Sequence, residues 1–403
     1  MWCLPLSLSI ESVTAFFNTG LSQQQFLDQY WQKQPLLIHN AFPTPVIDLT
    51  AEDLAGFACE QDIESRLICQ TGDQKWSLQQ GPLAESVFAQ LPEKNWTLLV
   101  QDMDSHWPPL QTLLTPFKFI PDWRRDDIMV SYAVPGGSVG AHLDNYDVFL
   151  LQAQGVRRWQ IAAQPEHQPQ WLAGCPLRIL QHFTAEHSWD LQPGDILYLP
   201  PGFAHHGIAQ SDCMTISIGF RAPTQRQLLD AFVDALAEKD SADVFYSDAD
   251  LLATNTPAAI DDASLRRAKK LLIDALEQHP DLIVKALGRQ VTETKPALSA
   301  WLSPDTDELE TMAALDAFFA QGGILKRNLM VRLAWYCSTN SVSVFVGSQD
   351  YQLPAESASQ VANICEAPQL NAKDWQQIQR QPTLVDLLLA MLEDTAWFPE
   401  DAD

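Results

Sequence analysis

Two residues in the segment 'PGGSVGAHLDNYDVF', His142 and Asp144, are spaced for metal chemistry. A separation of two puts both side chains on one face of a strand, so an imidazole and a carboxylate enter the same space. A third donor lies downstream in 'LQPGDILYLPPGFAHHGIAQ', where a PGD turn starts a strand, a PPG turn ends it and a histidine opens the next. Two such strands paired in a small barrel bring that histidine back beside the first two donors. His205 and His206 compete for the place. Strand alternation sends them to opposite faces, so one can ligate and the other is a half-exposed strand residue. Two histidines and a carboxylate leave about three positions open on a six-coordinate metal. That arrangement suits non-haem Fe(II) oxygenases, where a bidentate cosubstrate and dioxygen must bind together. An HxD pair alone is a weak signal, because most such pairs are surface polar residues. Glycine-rich entry, strand texture on both sides and the PGD-strand-PPG-histidine element make the combination strong. His39, His106, His167, His182, His187 and His279 lack that context and read as structural or surface residues.

The elements that must position these donors are strands. From about residue 126 to 220, 'DDIMVSYAV', 'YDVFLLQAQ', 'RRWQIAA', 'DILYLP' and 'CMTISIGF' are short, apolar and partly alternating, separated by PGG, QG, PGD and PPG turns. Strands at this spacing imply an antiparallel barrel or jelly roll. Residues 1 to about 125 read as short helical stretches and loops, with 'FLDQYWQKQPLLIHNAF' an amphipathic helix running into a strand. After Arg221 the period becomes helical: Thr224 and Gln227 make a capping box ahead of Leu228, Leu229, Phe232, Val233 and Leu236. An acidic loop follows, then a second amphipathic stretch from about Ser264 through Leu287. 'VTETKPALSAWLSPDTDE' reads as a linker into a last unit made of a helix, a hairpin ('NLMVRLAWYC' and 'SVSVFVGSQDYQL') and two further helices.

The chain has 403 residues, 46% of them hydrophobic, enough for at least one full core, and its length favours two or three domains. Its 51 acidic and 25 basic residues give a formal charge of -26. Such a field repels phosphate backbones and anionic lipid and attracts basic partners, so direct nucleic-acid binding is not expected. The first basic side chain is Lys33, unlike the charged start of a leader, and no apolar run approaches the roughly 18 residues of a membrane span. A cytoplasmic protein is expected. Cys3, Cys59, Cys69, Cys175, Cys213, Cys337 and Cys365 are odd in number and never form a CxxC pair, which suits reduced thiols.

The stretches 'HLDNYDVFLLQAQGVRRW' and 'LQPGDILYLPPGFAHHG' closely resemble the bacterial ribosomal oxygenase family of Jumonji-C proteins. The likeness extends to 'YWQKQPLLI', 'PDWRRDDIMVSYAVPGG' and 'SIGFRAPT', and more weakly to the helical and terminal regions, so it covers most of the chain. It implies a mainly β plus α fold. Residues 1–222 would be a double-stranded β-helix (jelly roll, cupin type), 223–292 a helical dimerisation segment and 293–403 a winged-helix-like domain. It also implies a 2-oxoglutarate-dependent dioxygenase that uses Fe(II), 2-oxoglutarate and dioxygen to hydroxylate an arginine of large-subunit ribosomal protein number sixteen. The family alignment selects His205 over His206 as third ligand.

The distal carboxylate of that cosubstrate needs a cation, because an unpaired buried anion is costly. The family position thirteen residues after the metal aspartate selects Arg157, leaving Arg158 to face outward. Ser131 matches a hydroxyl position of the family's cosubstrate pocket, with Thr215 a weaker match where relatives can carry asparagine. Asp127, Met129 and Ser131 alternate and share a strand face. A carboxylate at Asp127 could fork onto a guanidinium while Met129 and Tyr146 pack along its stem, roles the resemblance supports. The plainer assignment makes Met129 and Tyr146 barrel core and Asp127 a strand-edge charge. Two other functions compete. A different metal-dependent cupin enzyme would commonly use three histidines and a glutamate, which the HLD segment does not supply. A non-catalytic cupin scaffold would use the terminal unit for recognition; its acidic 'QLNAKDWQQIQRQPTLVDLLLAMLEDTAWFPEDAD' favours protein contacts over DNA. The apolar excess after residue 222 is consistent with a homodimer, or with packing onto the barrel.

Overall fold

Runs that are apolar at nearly every position need cover on both faces, and the central strands find it on both. The computed structural model describes residues 15–72, 74–239, 243–295, 298 and 309–400. Among these, residues up to 222 form one compact unit together with Lys295 and Leu298, and the remainder form a second.

In the first unit the strands are β1 (Leu36–Ile38), β2 (Ser65–Gly72), β3 (Lys75–Gln80), β4 (Trp96–Val100), β5 (Arg125–Ala133) and β6 (Asp147–Gln154). They continue as β7 (Arg157–Pro165), β8 (His187–Leu191), β9 (Ile196–Leu199), β10 (Phe203–Ala209) and β11 (Cys213–Phe220). An eight-stranded sheet runs β1-β9-β6-β11-β5-β4-β2-β3, and a three-stranded sheet runs β10-β7-β8. Strand parity divides the large sheet. Ile128, Val130, Phe149, Leu151, Ile216 and Ile218 enter an aromatic-rich core with Phe16, Phe26, Phe117 and Tyr198. Their neighbours Asp127, Met129, Ser131, Thr215 and Ser217 face a cavity on the opposite side. Helix Gln23–Gln29, opened by a Ser22/Gln25 capping box, delivers Phe26 to the aromatic core, where its ring meets Phe16 at 4.1 Å and Tyr198 at 5.1 Å. Asp147, fully buried, is satisfied by Tyr198 (2.7 Å), Gln32 (3.0 Å) and Arg124 (3.1 Å), which ties this helical entry to the sheet.

The second unit holds helices Gln225–Ala237, Asp262–Gln278, Pro280–Thr292, Met312–Ala320, Ala358–Glu366, Ala372–Ile378 and Pro382–Glu393. Its strands are β12 (Leu325–Arg327), β13 (Leu333–Cys337), β14 (Ser341–Val346), β15 (Gln349–Pro354), β16 (Gln369–Leu370) and β17 (Trp397–Pro399), in sheets β16-β12-β17 and β13-β14-β15. The capping box at Thr224 and Gln227 forms as expected. Phe232 and Ala235 of that first helix pack on Leu282 and Ala286 of Pro280–Thr292.

The structure differs from the sequence reading in four places. The region before residue 125 contributes β2, β3 and β4 to the large sheet instead of only helices and loops. The second amphipathic stretch is two helices, broken at His279–Pro280, where proline has no N–H to continue the ladder and opens a new helix at its first position. The expected hairpin is a three-stranded meander, because Gly347 (φ +51°) and Ser348 (φ +77°) turn the chain inside 'SVSVFVGSQDYQL'. Three helices, not two, follow it. Most of the linker 'VTETKPALSAWLSPDTDE' lies outside the described residues. Among the described residues no helix is long and apolar enough to cross a membrane.

Candidate active site

His142 and Asp144 lie on the turn into β6, where His142 forms a single antiparallel bridge with His205 instead of sitting in a full strand. The two backbones exchange hydrogen bonds, His142 N to His205 O at 3.0 Å and His205 N to His142 O at 2.8 Å. Gly202 N anchors the Asp144 carbonyl at 2.8 Å. The turn needs glycine at Gly140, whose φ is +82° and where a Cβ would lie 2.6 Å from the Ile179 side chain. One donor atom from each of His142, Asp144 and His205 falls within 4.8 Å of the others; Asp144 Oδ2 is 4.0 Å from His142 Nε2 and 3.6 Å from His205 Nε2. His142 Nδ1 donates to Gly140 O (3.0 Å) and His205 Nδ1 to Phe203 O (2.9 Å). A carbonyl can only accept, so each Nδ1 carries the proton and each Nε2 presents its lone pair to the shared space. Burial, then the neighbouring His142, lowers His205 to about 4, which keeps it in the neutral, ligating form. His206 has the opposite parity, pairs with Gln160 and stands beside the Phe183 ring.

Arg157 enters the same cavity from β7. It is 3% exposed and donates from Nη1 to Ser131 Oγ (3.1 Å) and Thr215 Oγ1 (3.3 Å), which face each other in register across β5 and β11. The Thr215 hydroxyl donates in turn to Gln152 Oε1 at 3.0 Å. The guanidinium lies 5.3 Å from the centre of the Trp159 ring, and its Nε has no acceptor. Among the described residues its hydrogen-bonding partners are neutral hydroxyls, so a buried cation stands without a counter-ion. The arrangement fits a small carboxylate. Arg158, one residue on, forks onto Asp190 at 2.7 and 2.8 Å at the surface.

The other end of the cavity is acidic. Asp127 accepts from Asp102 N at 3.2 Å, and Gln101 fits with its amide nitrogen on Asp127 (3.1 Å) and its oxygen on Arg66 (3.0 Å). Burial raises the Asp127 carboxyl, and the neighbouring Lys295 ammonium pulls it back toward the ionised form. Tyr146 stands between the two ends. Burial, then Asp144, then Asp127 hold its phenol well above the usual tyrosine value, so it stays neutral. Arg66 also donates toward Met129 Sδ at 3.9 Å. All nine residues singled out from the sequence border one cavity of about 980 Å³. Sequence reasoning missed Trp159, Gln152, Gln101, Arg66 and Lys295. Trp159 was findable, since it shares strand parity with Arg157. Lys295, by contrast, is one lysine in an apparent linker and carries no local signal.

Residues 112–228 match the JmjC domain family and residues 275–398 the ROXA-like winged helix. The chain is 32% identical over 390 residues to ribosomal protein uL16 3-hydroxylase of Escherichia coli, covering 95% of this chain and 99% of that protein. It is 35% identical to a probable ribosomal oxygenase of Haemophilus influenzae over 77% of this chain and 79% of that one. A solved structure of YcfD, a ribosomal oxygenase from Escherichia coli, in complex with cobalt and 2-oxoglutarate superposes with a TM-score of 0.79 at 30% identity, covering 95% of this chain and 99% of that one. A matched JmjC domain, a matched winged helix and end-to-end similarity to a uL16 hydroxylase place the chain in the ribosomal oxygenase family of JmjC proteins.

Proposed function

We propose that this chain is an Fe(II)- and 2-oxoglutarate-dependent dioxygenase that hydroxylates an arginine side chain of ribosomal protein uL16. The observation that carries the reading is Arg157, a buried guanidinium with no counter-ion among the described residues, which shares a cavity with the His142, Asp144 and His205 donors. Two neutral imidazoles and a carboxylate would hold iron and leave positions open. The distal carboxylate of 2-oxoglutarate would pair with the Arg157 guanidinium, which Ser131 and Thr215 hold in place. Metal and cosubstrate, when bound, supply the oxidising power, coupling decarboxylation to insertion of one oxygen atom into an unactivated C–H bond. The chain's own residues bind and orient: Asp127 would fork onto the substrate guanidinium while Met129 and the neutral Tyr146 pack along its methylene stem toward the triad.

Segment 223–292 exposes Leu229, Val233, Leu265, Leu272 and Ile283 on its helices, which supports a homodimer built there. A ribosomal protein substrate supports a cytoplasmic place of action. The deciding experiment incubates purified protein with Fe(II), 2-oxoglutarate and uL16. The substrate should gain about 16 Da, one oxygen atom, on an arginine, with succinate formed alongside. Asp144→Ala should abolish both while keeping the wild-type melting temperature. Turnover undiminished in that variant would remove the triad from the mechanism.

A further inference from the structure

The acidic end of the cavity already holds a cation. Lys295 Nζ lies 2.6 Å from Asp102 Oδ1, 3.2 Å from Asp126 Oδ1 and 3.6 Å from Asp127 Oδ2, and it borders the cavity that contains the metal donors. Asp126 is also met by Arg221 Nε at 3.3 Å. Three carboxylates therefore share Lys295, and Arg221 adds a cation at Asp126. Burial opposes the Lys295 charge, but Asp127, Asp126 and Asp102 together outweigh it and hold the ammonium above its ordinary value. A second cation brought to Asp127 while Lys295 stays would place two positive charges within a few ångströms in a poorly hydrated space.

Resting on the reading that Asp127 receives a substrate cation, we propose that Lys295 is an internal occupant of the substrate subsite and a determinant of its specificity. A substrate engages Asp127 by displacing the ammonium. That exchange favours arginine over lysine. A guanidinium presents a planar fork to carboxylates and is the more weakly hydrated cation, whereas a substrate ammonium offers only what Lys295 already supplies without loss of translational freedom.

The test uses the full chain and three fluorescein-labelled basic peptides that differ at one central position: arginine, lysine or citrulline. Binding is read by anisotropy with 2-oxoglutarate and a redox-inert divalent metal present. The wild type should favour arginine over lysine and bind citrulline weakly. Lys295→Met, which keeps the stem and removes the charge, should tighten the arginine peptide several-fold and the lysine peptide about ten-fold, narrowing the preference. Lys295→Arg keeps the charge and adds the fork, so it should bind the arginine peptide no better than the wild type does, and Lys295→Gln serves if the methionine variant melts early. Unchanged or weaker binding in both charge-removing variants overturns the inference, as does equal tightening of the citrulline peptide. Succinate formation is followed separately. A chain that binds as expected but makes no succinate counts against the oxygenase reading alone, and one that makes succinate with no gain in Lys295→Met counts against this inference alone.

Discussion

A guanidinium sealed among Ser131, Thr215 and the Trp159 ring is an expensive group for a protein to keep. Neutral hydroxyls replace only part of the hydration that Arg157 loses, and its Nε gains no acceptor at all. Stability does not explain such a group, whereas the carboxylate proposed to bind there would. Arg157→Met should therefore leave the free protein as stable as wild type or raise it by about 1–4 kcal/mol, as replacing buried charge by an apolar side chain often does. Saturating 2-oxoglutarate should behave oppositely in the two proteins. At about a hundred times its dissociation constant it stabilises the wild type by about 2.7 kcal/mol, and it should leave Arg157→Met unmoved. Thermal melts with and without 2-oxoglutarate measure both effects; equal ligand shifts would mean that the carboxylate binds elsewhere. Whichever way the melts fall, Arg158 is no substitute, since its fork is committed to Asp190 at the surface.

Between residues and molecule, the strand is the element that makes this site, and strand parity was the part most open to sequence. Alternation in 'DDIMVSYAV' sends Asp127, Met129 and Ser131 one way and Ile128 and Val130 the other, which is how β5 is built. The pairing of Ser131 with Thr215 and of Thr215 with Gln152 was not legible, because register depends on which strands meet across dozens of residues. Strands β2 to β4 were missed for a related reason. 'SRLICQTG' and 'WTLLV' are short, and without their partners they do not outweigh the helical texture around them. Packing between strands is equally invisible in sequence. Gly207 on β10 sits against β7 so closely that a Cβ there would lie 2.7 Å from the Trp159 ring and 3.0 Å from Arg157 Nε. Gly207→Ala should therefore displace both side chains. We expect a loss of about 1–3 kcal/mol in stability and a raised 2-oxoglutarate requirement, although no donor of the triad is touched. Succinate assays across a 2-oxoglutarate range check this, and an unchanged requirement would mean the two strands can part without cost.

At the scale of the whole molecule, the charge of -26 and the exposed apolar helices make opposite demands on salt. Encounter with the proposed ribosomal substrate, if basic, would be helped by the acidic field, so it should slow as salt rises and the field is screened over about 8–10 Å. Association of two copies works against the same field, because each brings a charge of the same sign. If the homodimer is built on Leu229, Val233, Leu265, Leu272 and Ile283, its attraction is apolar and insensitive to screening, while the repulsion it overcomes is weakened. Raising salt from about 20 to about 300 mM should then increase the dimer fraction in light scattering while raising the KM for uL16. A dimer that dissociates with salt would instead be held by ion pairs and would move the interface away from these side chains. Leu272→Glu separates the cases further: 71% exposed, it should cost the monomer little stability and break an apolar interface outright.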